Sequence, residues 1–589
     1  MEEDSLARAI PLLLQALELR KKYIRVSKQN KSWKRYPVPS TLSAEKANSH
    51  WSLVGDSEEL PSISEYYRDI DLLTSIIHNG PLKSYCFQRL EHLELQFKMH
   101  INQFHSKEKN EQKTLSNKDF YTVVKADTHL HHSASMNSKR LLKYIKKKLR
   151  DSGADVVYKD KTGEKHTLSD IFSGINKTVD TLCLDSLGTH SNLETFHRFD
   201  RFNSKYNPYG TPILREVFLK HDNYIGGKYL AELTQELIEE IEEKEYLKCE
   251  WGISLYGKKE NELEVLSRWV DKHSIENESV RWYIQVPRLY GVFKGYGNVS
   301  NYAEFLSNIF SALIESSLRP KVEMLSKDKK IAHSTEDIID AFLCNVVGFD
   351  SVDDESAKDK KNHFEKGHPL KWAHMDNPPY SYYMYYMYYY TAVVNRIRVS
   401  RGKDPLAFRP HAGESGDIDH LAYAFLTAKS IAHGVKLRKS PVLQYLYYLA
   451  QIGIAMSPLS NNSLFIEYRK NPFPLYFQRG LNVSLSTDDP LQFHYTREPL
   501  MEEYSIASQI WKLSSCDQCE IARNSVLISN YGKEEKEKWI GKYEVDGRLV
   551  NDQAKTNVPP TRFNYRMKRI SEEYAILQKY AYRIEPPPE

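Results

Sequence analysis

The sequence predicts an α/β fold, a (β/α)₈ TIM-type barrel with insertions and a helical N-terminal region. From about residue 120, short apolar runs of β-forming residues alternate with longer segments of helical periodicity, which is typical of parallel βα units. Eight runs are present, the number that closes a barrel, and they end in polar or charged residues. The runs are Val123–His131, Cys249–Tyr256, Val280–Pro287, Val346–Val352, Leu406–Glu414, Ser430–Gly434, Ile452–Leu459 and Val483–Pro490.

The chain of 589 residues is long enough for this barrel and an accessory region. We expect residues 1–115 to form a helical N-terminal region, because apolar residues recur at helical spacing in Leu12–Leu19 and Leu90–Phe97. Lys28–Arg35 is basic and lacks periodicity, which predicts a poorly ordered arm. Residues 116–589 then form the barrel and a C-terminal helix.

Two further segments have simple structural interpretations. Tyr380–Tyr390 is dominated by tyrosine, and Tyr and Met at helical spacing predict a helix packed on the barrel wall. A surface that stacks nucleic-acid bases would instead need interleaved Arg or Lys. Val157–Leu168 contains Lys-Thr-Gly at its centre and predicts a surface hairpin after the first strand.

The composition argues against several classes of protein. Lys and Arg number 82 against 78 Asp and Glu, whereas a nucleic-acid surface normally needs a strongly basic domain. The six cysteines are scattered and predict no disulfide framework. Neither a secretory leader nor an apolar run of about 18 residues is apparent. We therefore expect no nucleic-acid partner, no transmembrane segment and a cytosolic, cytoplasmic location.

Four residues at predicted strand ends have the chemistry of a metal site. His129 and His131 are separated by one residue, so on a strand their imidazoles share one face. His411 lies at the tip of the fifth strand and Asp488 at the tip of the eighth. A lone His-x-His pair often only satisfies hydrogen bonds, but convergence of these four residues favours one Zn²⁺ ion, which makes hydroxide available near neutral pH.

Three more residues at the strand tips are candidates for proton transfer and substrate binding. Glu414 follows His411 by three residues and is the best general acid/base candidate, with a helix N-cap as the structural alternative. His433 would orient the water or take its proton, unless it is a buried structural histidine. Asp489 should turn away from the metal towards the substrate, or else cap the next turn with Pro490.

Several motifs resemble those of a known family. Four short ones resemble the adenosine/AMP deaminase family of metal-dependent amidohydrolases: Lys125-Ala-Asp-Thr-His-Leu-His, His411-Ala-Gly-Glu, Ser430-Ile-Ala-His-Gly and Ser484-Leu-Ser-Thr-Asp-Asp-Pro. Longer stretches resemble its AMP deaminase branch: Phe196-His-Arg-Phe-Asp-Arg-Phe-Asn-Ser-Lys-Tyr-Asn-Pro, Gly348-Phe-Asp-Ser-Val-Asp-Asp-Glu-Ser, Ser457-Pro-Leu-Ser-Asn-Asn-Ser-Leu-Phe and Pro499-Leu-Met-Glu-Glu-Tyr. The likeness runs from about residue 80 to 580.

The resemblance implies a function. It implies that AMP and water become IMP and ammonia in a homo-oligomer with one zinc ion per subunit. Glu414 would protonate N1 of the purine, His433 would assist the zinc-bound water as it attacks C6, and Asp489 would hold the ring. The implied zinc ligands are His129, His131, His411 and Asp488. The implied substrate contacts are His131, Arg201, Phe202, Asn203, Ser204, Lys205, Tyr206, Asp489, Pro490, Leu491 and Gln492, among which Arg201 and Lys205 suit a 5′-phosphate.

Departures and alternatives stay open. Family members usually carry Lys where this chain has Arg201, and Arg where Gly252 stands on the second strand, so a salt bridge or substrate contact is expected to be missing there. The alternatives are an adenosine deaminase, a catalytically silent nucleotide-binding homologue, and a barrel hydrolase with two bridged metals. Cys516 and Cys519 have no second pair and are interpreted as structural residues at a helix start.

Overall fold

The computed structural model describes residues 9–29, 42–56, 58–115, 118–320, 334–359, 367–542 and 551–582. Most of the basic arm expected at Lys28–Arg35 lies outside these described residues. None of the helices in the described ranges is both long and apolar enough to cross a bilayer.

The eight predicted strands are all present, in the predicted order, and each pairs in parallel with its neighbours. They are buried on both faces, as parallel strands covered by helices should be. The seventh and eighth are shorter than predicted, because Pro458 and Pro490 begin helices. The strands are β1 (Lys125–His131), β2 (Leu247–Ser254), β3 (Val280–Pro287), β4 (Val346–Val352), β5 (Ala407–Phe408 and His411–Ala412), β6 (Ser430–His433), β7 (Gly453–Met456) and β8 (Val483–Leu485).

Two local features close these strands into a barrel. Strand β5 is split at Pro410, which has no N–H to give to the ladder, so its first half pairs with β4 and its second half with β6. At the other seam, the Asp488 N–H donates to His129 O at 2.8 Å and the His131 N–H donates to Asp488 O at 2.9 Å. The ladder therefore runs around the full circle, which confirms the predicted (β/α)₈ barrel.

Helices connect the strands and cover the barrel. The longest insertion follows β1 and contains the predicted hairpin, Val156–Lys159 paired with Lys165–Thr167. The tyrosine-rich segment forms the predicted helix, Tyr380–Ser400, whose residues are almost all buried. The α-helices from β1 onward are Ser138–Asp151, Leu168–Gly174, Leu184–Leu187, Phe199–Ser204, Pro212–Leu219, Lys228–Glu242, Glu262–Lys272, Tyr290–Gly295, Tyr302–Leu318, Thr335–Asn345, Tyr380–Ser400, Asp419–Thr427, Pro441–Leu449, Pro458–Leu464, Phe473–Arg479, Pro490–Phe493, Pro499–Trp511, Ser515–Ile528, Lys533–Ile540, Gln553–Thr556 and Pro560–Tyr582.

The N-terminal region packs on the barrel helices. Its helices are Pro11–Val26, Ile63–His78 and Gly80–Lys113, the last two begun by Ser62 and Asn79 side chains that accept backbone N–H groups. An antiparallel hairpin, Ser43–Ala47 with His50–Val54, was not part of the helical prediction. One continuous hydrophobic core includes residues from Ala9 to Leu577.

Candidate metal centre

The structure brings together the four residues singled out as metal ligands. Ligand atoms of His129, His131, His411 and Asp488 all lie within 4.8 Å of one another, at the carboxyl ends of β1, β5 and β8. Asp488 Oδ1 lies 3.2 Å from His131 Nε2 and 3.4 Å from His129 Nε2. The cluster is buried, with His131 the most accessible member at 13% side-chain exposure. These groups could hold one metal ion.

The hydrogen-bond partners of His411 and His129 suit a metal ion. His411 Nδ1 lies 3.0 Å from Asp350 Oδ1, so the carboxylate accepts the ring proton and leaves Nε2 with its lone pair. His129 Nε2 is buried and has no hydrogen-bond partner, which is costly unless another ligand satisfies it. Three imidazoles and one carboxylate are donors that divalent transition metals prefer.

Gln285 fixes the third imidazole. Its Nε2 donates to Asp350 Oδ2 at 3.1 Å, and its amide lies against His131 Nδ1, with Nε2 at 2.8 Å and Oε1 at 3.1 Å from that ring nitrogen. Oε1 is the atom of this amide that can accept a proton from His131 Nδ1. The Gln285 amide fills the space above Gly252, where a β-carbon would lie only 2.3 Å from Cδ of Gln285. The space above Gly252, where the resemblance led us to expect a lost contact, is therefore filled by a side chain that contacts His131 and Asp350.

Glu414, His433 and Asn461 form a second cluster beside the ligands. His433 Nδ1 lies 3.4 Å from Glu414 Oε1 and 3.2 Å from Asn461 Nδ2, and His433 Nε2 lies 3.9 Å from Asp488 Oδ2. Burial, reinforced by the charge of Asp488, raises the pKa of the Glu414 carboxyl well above its usual value. Burial lowers the pKa of His433. Both shifts favour a protonated Glu414 beside a neutral His433.

The backbone at these strand tips is strained. His433 has φ +67° and Asp488 has φ +59°, a region that residues other than glycine enter rarely and at a cost of about 1–3 kcal/mol each. Backbone hydrogen bonds to β1 hold Asp488, and the next residue after His433, Gly434, donates to Ala412 O at 3.0 Å. Strain of this kind turns both side chains towards the cluster while the ladder continues behind them.

The two predicted substrate segments meet at Asp489. Tyr206 donates its hydroxyl proton to Asp489 Oδ1 at 2.5 Å, and Phe202 stacks on Phe493 with ring centroids 5.5 Å apart. Burial raises the pKa of the Asp489 carboxyl to about 7. The guanidinium of Arg215 lies 4.9 Å from the centre of the Tyr206 ring. Asp489 thus joins the wall of the site to the helix Phe199–Ser204.

The other predicted substrate residues divide into exposed and buried groups. Lys205 is half-buried, with its Nζ 4.0 Å from Glu194 Oε2. The side-chain amide of Gln492 is buried and has no hydrogen-bond partner. The exposed residues are Arg201, Asn203 and Ser204, and the fully buried ones in the short helix after β8 are Pro490, Leu491 and Gln492. Arg201 is thus solvent-exposed, whereas Tyr206 is partly buried.

Sequence reasoning missed five residues that organise the site. Four of them act on a group that is distant along the chain, and Arg215 packs on the nearby Tyr206. Asp350 and Glu355 lie within a stretch quoted for its resemblance, and so does Asn461, so the signal was present without a role attached. The five are Arg215, Gln285, Asp350, Glu355 and Asn461.

The fold and the site together define a (β/α)₈-barrel protein with a three-histidine, one-aspartate cluster for a metal ion at the carboxyl ends of its strands. Residues 40–582 match the family model described as AMP deaminase. The chain belongs to the AMP deaminase family.

Curated relatives are similar over most of this chain. It is 46% identical over 525 residues to AMP deaminase of Saccharomyces cerevisiae, covering 89% of this chain and 63% of that protein. It is 47% identical to AMP deaminase of Dictyostelium discoideum, with 88% and 64% covered, and 46% identical to AMP deaminase 3 of Homo sapiens, with 88% and 66% covered. The chain thus spans slightly less than two thirds of the length of these relatives.

Proposed function

We propose that this chain catalyses the zinc-dependent hydrolytic deamination of AMP to IMP and ammonia. The observation that carries the proposal is the joint placement of two clusters. Four metal-ligand groups converge at the barrel tips, and Glu414 with His433 lies directly beside them. Membership of the family and the names of the relatives supply the choice of substrate.

The metal in this proposal is one zinc ion held by His129, His131, His411 and Asp488. When bound, zinc lowers the pKa of a coordinated water from 15.7 towards about 7. Asp350 and Gln285 contribute by keeping protons on the outer nitrogens of two of the rings, so that the inner nitrogens stay available.

Protons move through Glu414 and His433. Glu414 is kept protonated by burial and gives its proton to N1, which makes C6 electrophilic. His433 takes one proton from the attacking water and passes it to the amino group, which leaves as ammonia when its bond to C6 breaks. Glu414 regains a proton from the new C6 hydroxyl as the carbonyl of IMP forms.

Asn461 sets the tautomer that this role of His433 requires. Asn461 Oδ1 is buried without a partner, while its amide nitrogen lies 3.2 Å from His433 Nδ1. Rotating the amide by 180° places Oδ1 where it accepts a proton from Nδ1, which satisfies the oxygen. His433 Nε2, which also has no partner, then carries the lone pair that accepts the proton from water.

Recognition of the nucleotide is assigned to Asp489 and a set of cations. Asp489, held by Tyr206, would bind the purine edge. Lys205 and Arg201 were the sequence-based choices for the 5′-phosphate. Arg215 is added to them because its guanidinium packs on Tyr206, next to Asp489. Each positive charge would favour AMP over adenosine.

The test is a metal assay combined with ammonia release from AMP, adenosine, dAMP and GMP by the full chain. We expect about one zinc ion per chain and the highest kcat/KM on AMP. Glu414→Ala should abolish ammonia release while zinc content stays full. A zinc-loaded wild-type chain that releases no ammonia from any of them would favour the silent homologue, and preference for adenosine would favour the nucleoside enzyme.

The proposal extends to assembly and location. A homo-oligomer in the cytosol is expected from the family resemblance, and all six cysteines are free thiols, which suits a reducing compartment. Sedimentation of the purified chain measures the first, and microscopy of the chain expressed with a fluorescent tag measures the second.

A further inference from the structure

Glu355 binds the turn that carries Glu414. It lies in the loop after β4, with its side chain only 2% exposed. Its Oε2 accepts the N–H of Gly413 at 2.8 Å and its Oε1 accepts the N–H of Glu414 at 3.0 Å. Both oxygens of one carboxylate thus hold two consecutive peptide groups, which fixes the orientation of the backbone at Glu414.

A second layer holds Glu355 in place. His420 Nδ1 lies 2.7 Å from Glu355 Oε2, and the His420 ring stacks on Tyr380 with centroids 3.7 Å apart and an interplanar angle of 11°. Tyr380 donates its hydroxyl proton to His411 O at 2.8 Å. The turn from His411 to Glu414 is therefore fixed at its start by Tyr380 and at its end by Glu355.

The backbone of the turn also rests directly on Glu355. Gly416 has φ +63°, and a β-carbon there would lie 1.8 Å from Glu355 O. Only glycine allows this approach, because it accepts the left-handed conformation and has no side chain to collide. The two loops are therefore packed backbone to backbone as well as through the carboxylate.

We propose that Glu355 is a positioning residue that directs the Glu414 side chain towards the reacting atom; this rests on the function proposed above. Glu414 Oε1 is 3.4 Å from both His433 Nδ1 and the side-chain amide group of Asn461. With these long contacts, its direction depends on the backbone that bears it. A displacement of about 1 Å at a reacting group costs up to about 100-fold in rate.

The direct test is Glu355→Gln in the full, zinc-loaded chain. Glutamine has the same shape, but its NH₂ group faces a backbone N–H, so one of the two peptide groups loses its acceptor. We expect kcat for AMP to fall about 10- to 100-fold, while KM, zinc content and melting temperature change little. This split distinguishes positioning from loss of the fold, which would lower zinc content and melting temperature together with kcat.

Glu502→Gln is the matched control. Glu502 also accepts two consecutive peptide N–H groups: that of Tyr495 lies 3.2 Å from Oε1 and 3.1 Å from Oε2, and that of Thr496 lies 2.9 Å from Oε2. We expect Glu502→Gln to retain wild-type kcat. Equal losses in the two variants would overturn the proposal, since any carboxylate that holds a turn would then have the same effect.

A milder variant covers the case in which Glu355→Gln does not fold. His420→Gln leaves the carboxylate and removes only the ring behind it, and it should lower kcat about three- to tenfold at constant KM. Wild-type kcat in both variants of this cluster would overturn the positioning role while leaving the proposed function intact. An inactive wild-type chain would instead refute the proposed function itself.

Discussion

The contact between Gly252 and Gln285 makes a sharp prediction about metal affinity. In Gly252→Ala the new β-carbon would lie 2.3, 2.5 and 2.7 Å from Cδ, Nε2 and Oε1 of Gln285. Gln285 is only 4% exposed, and its amide is engaged with both His131 and Asp350. The amide cannot retreat without weakening those hydrogen bonds.

The geometry sets the size of the effect. Ordinary van der Waals contact begins at 3.4 Å, so the amide carbon must move from 2.3 Å by 3.4 − 2.3 = 1.1 Å. That displacement removes hydrogen bonds that are now 3.1 Å long. Loss of an outer partner of a metal-binding histidine costs roughly 10- to 100-fold in metal affinity, which is about 1.4–2.7 kcal/mol.

The assay is competition for zinc with a chromogenic chelator. We expect Gly252→Ala and Gln285→Ala each to weaken zinc binding, and the double variant to match Gln285→Ala alone, because the β-carbon then has space. Gly348→Ala on β4 is the control, since its β-carbon would meet Ala407 O at 2.3 Å, away from Gln285, and should lower stability without this loss of affinity. Additive losses in the double variant, or wild-type affinity in Gly252→Ala, would refute the reasoning.

Two further predictions concern stability and substrate choice. Glu250→Ala should lower the free energy of unfolding, measured by denaturant titration, by about 3–5 kcal/mol, because Arg409 (3% exposed) loses its buried partner Glu250 (0% exposed), which lies 2.8 Å away. Glu264→Ala, which removes an exposed ion-pair partner, should cost less than about 0.5 kcal/mol. Equal costs in the two variants would contradict this prediction. Arg215→Ala should raise KM for AMP about tenfold and leave KM for adenosine unchanged. An equal rise in KM for both substrates would show that Arg215 does not recognise the phosphate.

The sequence was sufficient for the fold because its signals are local. Eight apolar runs with polar ends predicted eight strands, and two of them match the structure residue for residue, Val280–Pro287 and Val346–Val352. The hairpin Ser43–Val54 escaped prediction because its strands are largely exposed and lack a buried alternating face. Strand β5 is split because Pro410 has no N–H group. This split could not be predicted from the sequence, because it depends on how β5 pairs with both neighbouring strands.

The site was only partly predictable, for a different reason. Residues at a strand tip, such as His411, can be predicted as site residues from their residue type and their position at the end of an apolar run. Residues that only support another side chain are harder to predict. Gln285, for example, has no distinctive chemistry and lies 154 positions from His131, the histidine that it contacts. Gly252 shows the limit most clearly, because the family resemblance led us to expect a lost contact there, whereas the structure places the Gln285 amide in that space.

Three buried carboxyl groups stabilise the strand ends at the candidate site, where the hydrogen-bonded ladder of the barrel is shortest. Strand β8 has three residues and each half of β5 has two, so their ends leave peptide N–H groups outside the ladder. The carboxylates of Asp127, Asp350 and Glu355 accept N–H groups at these ends.

Each carboxyl group comes from β1, from β4 or from the loop after β4. Each reaches across to the tip of the adjoining strand, so a hydrogen bond to a side chain replaces a ladder bond there. Asp127, for example, takes both the N–H of Thr487 at 3.2 Å and its hydroxyl proton at 2.6 Å, immediately before Asp488. The positions of the proposed metal ligands and of Glu414 therefore depend on carboxyl groups that are not themselves proposed to bind metal or substrate. Substitutions at these carboxyl groups should change the proposed chemistry while every proposed ligand is retained.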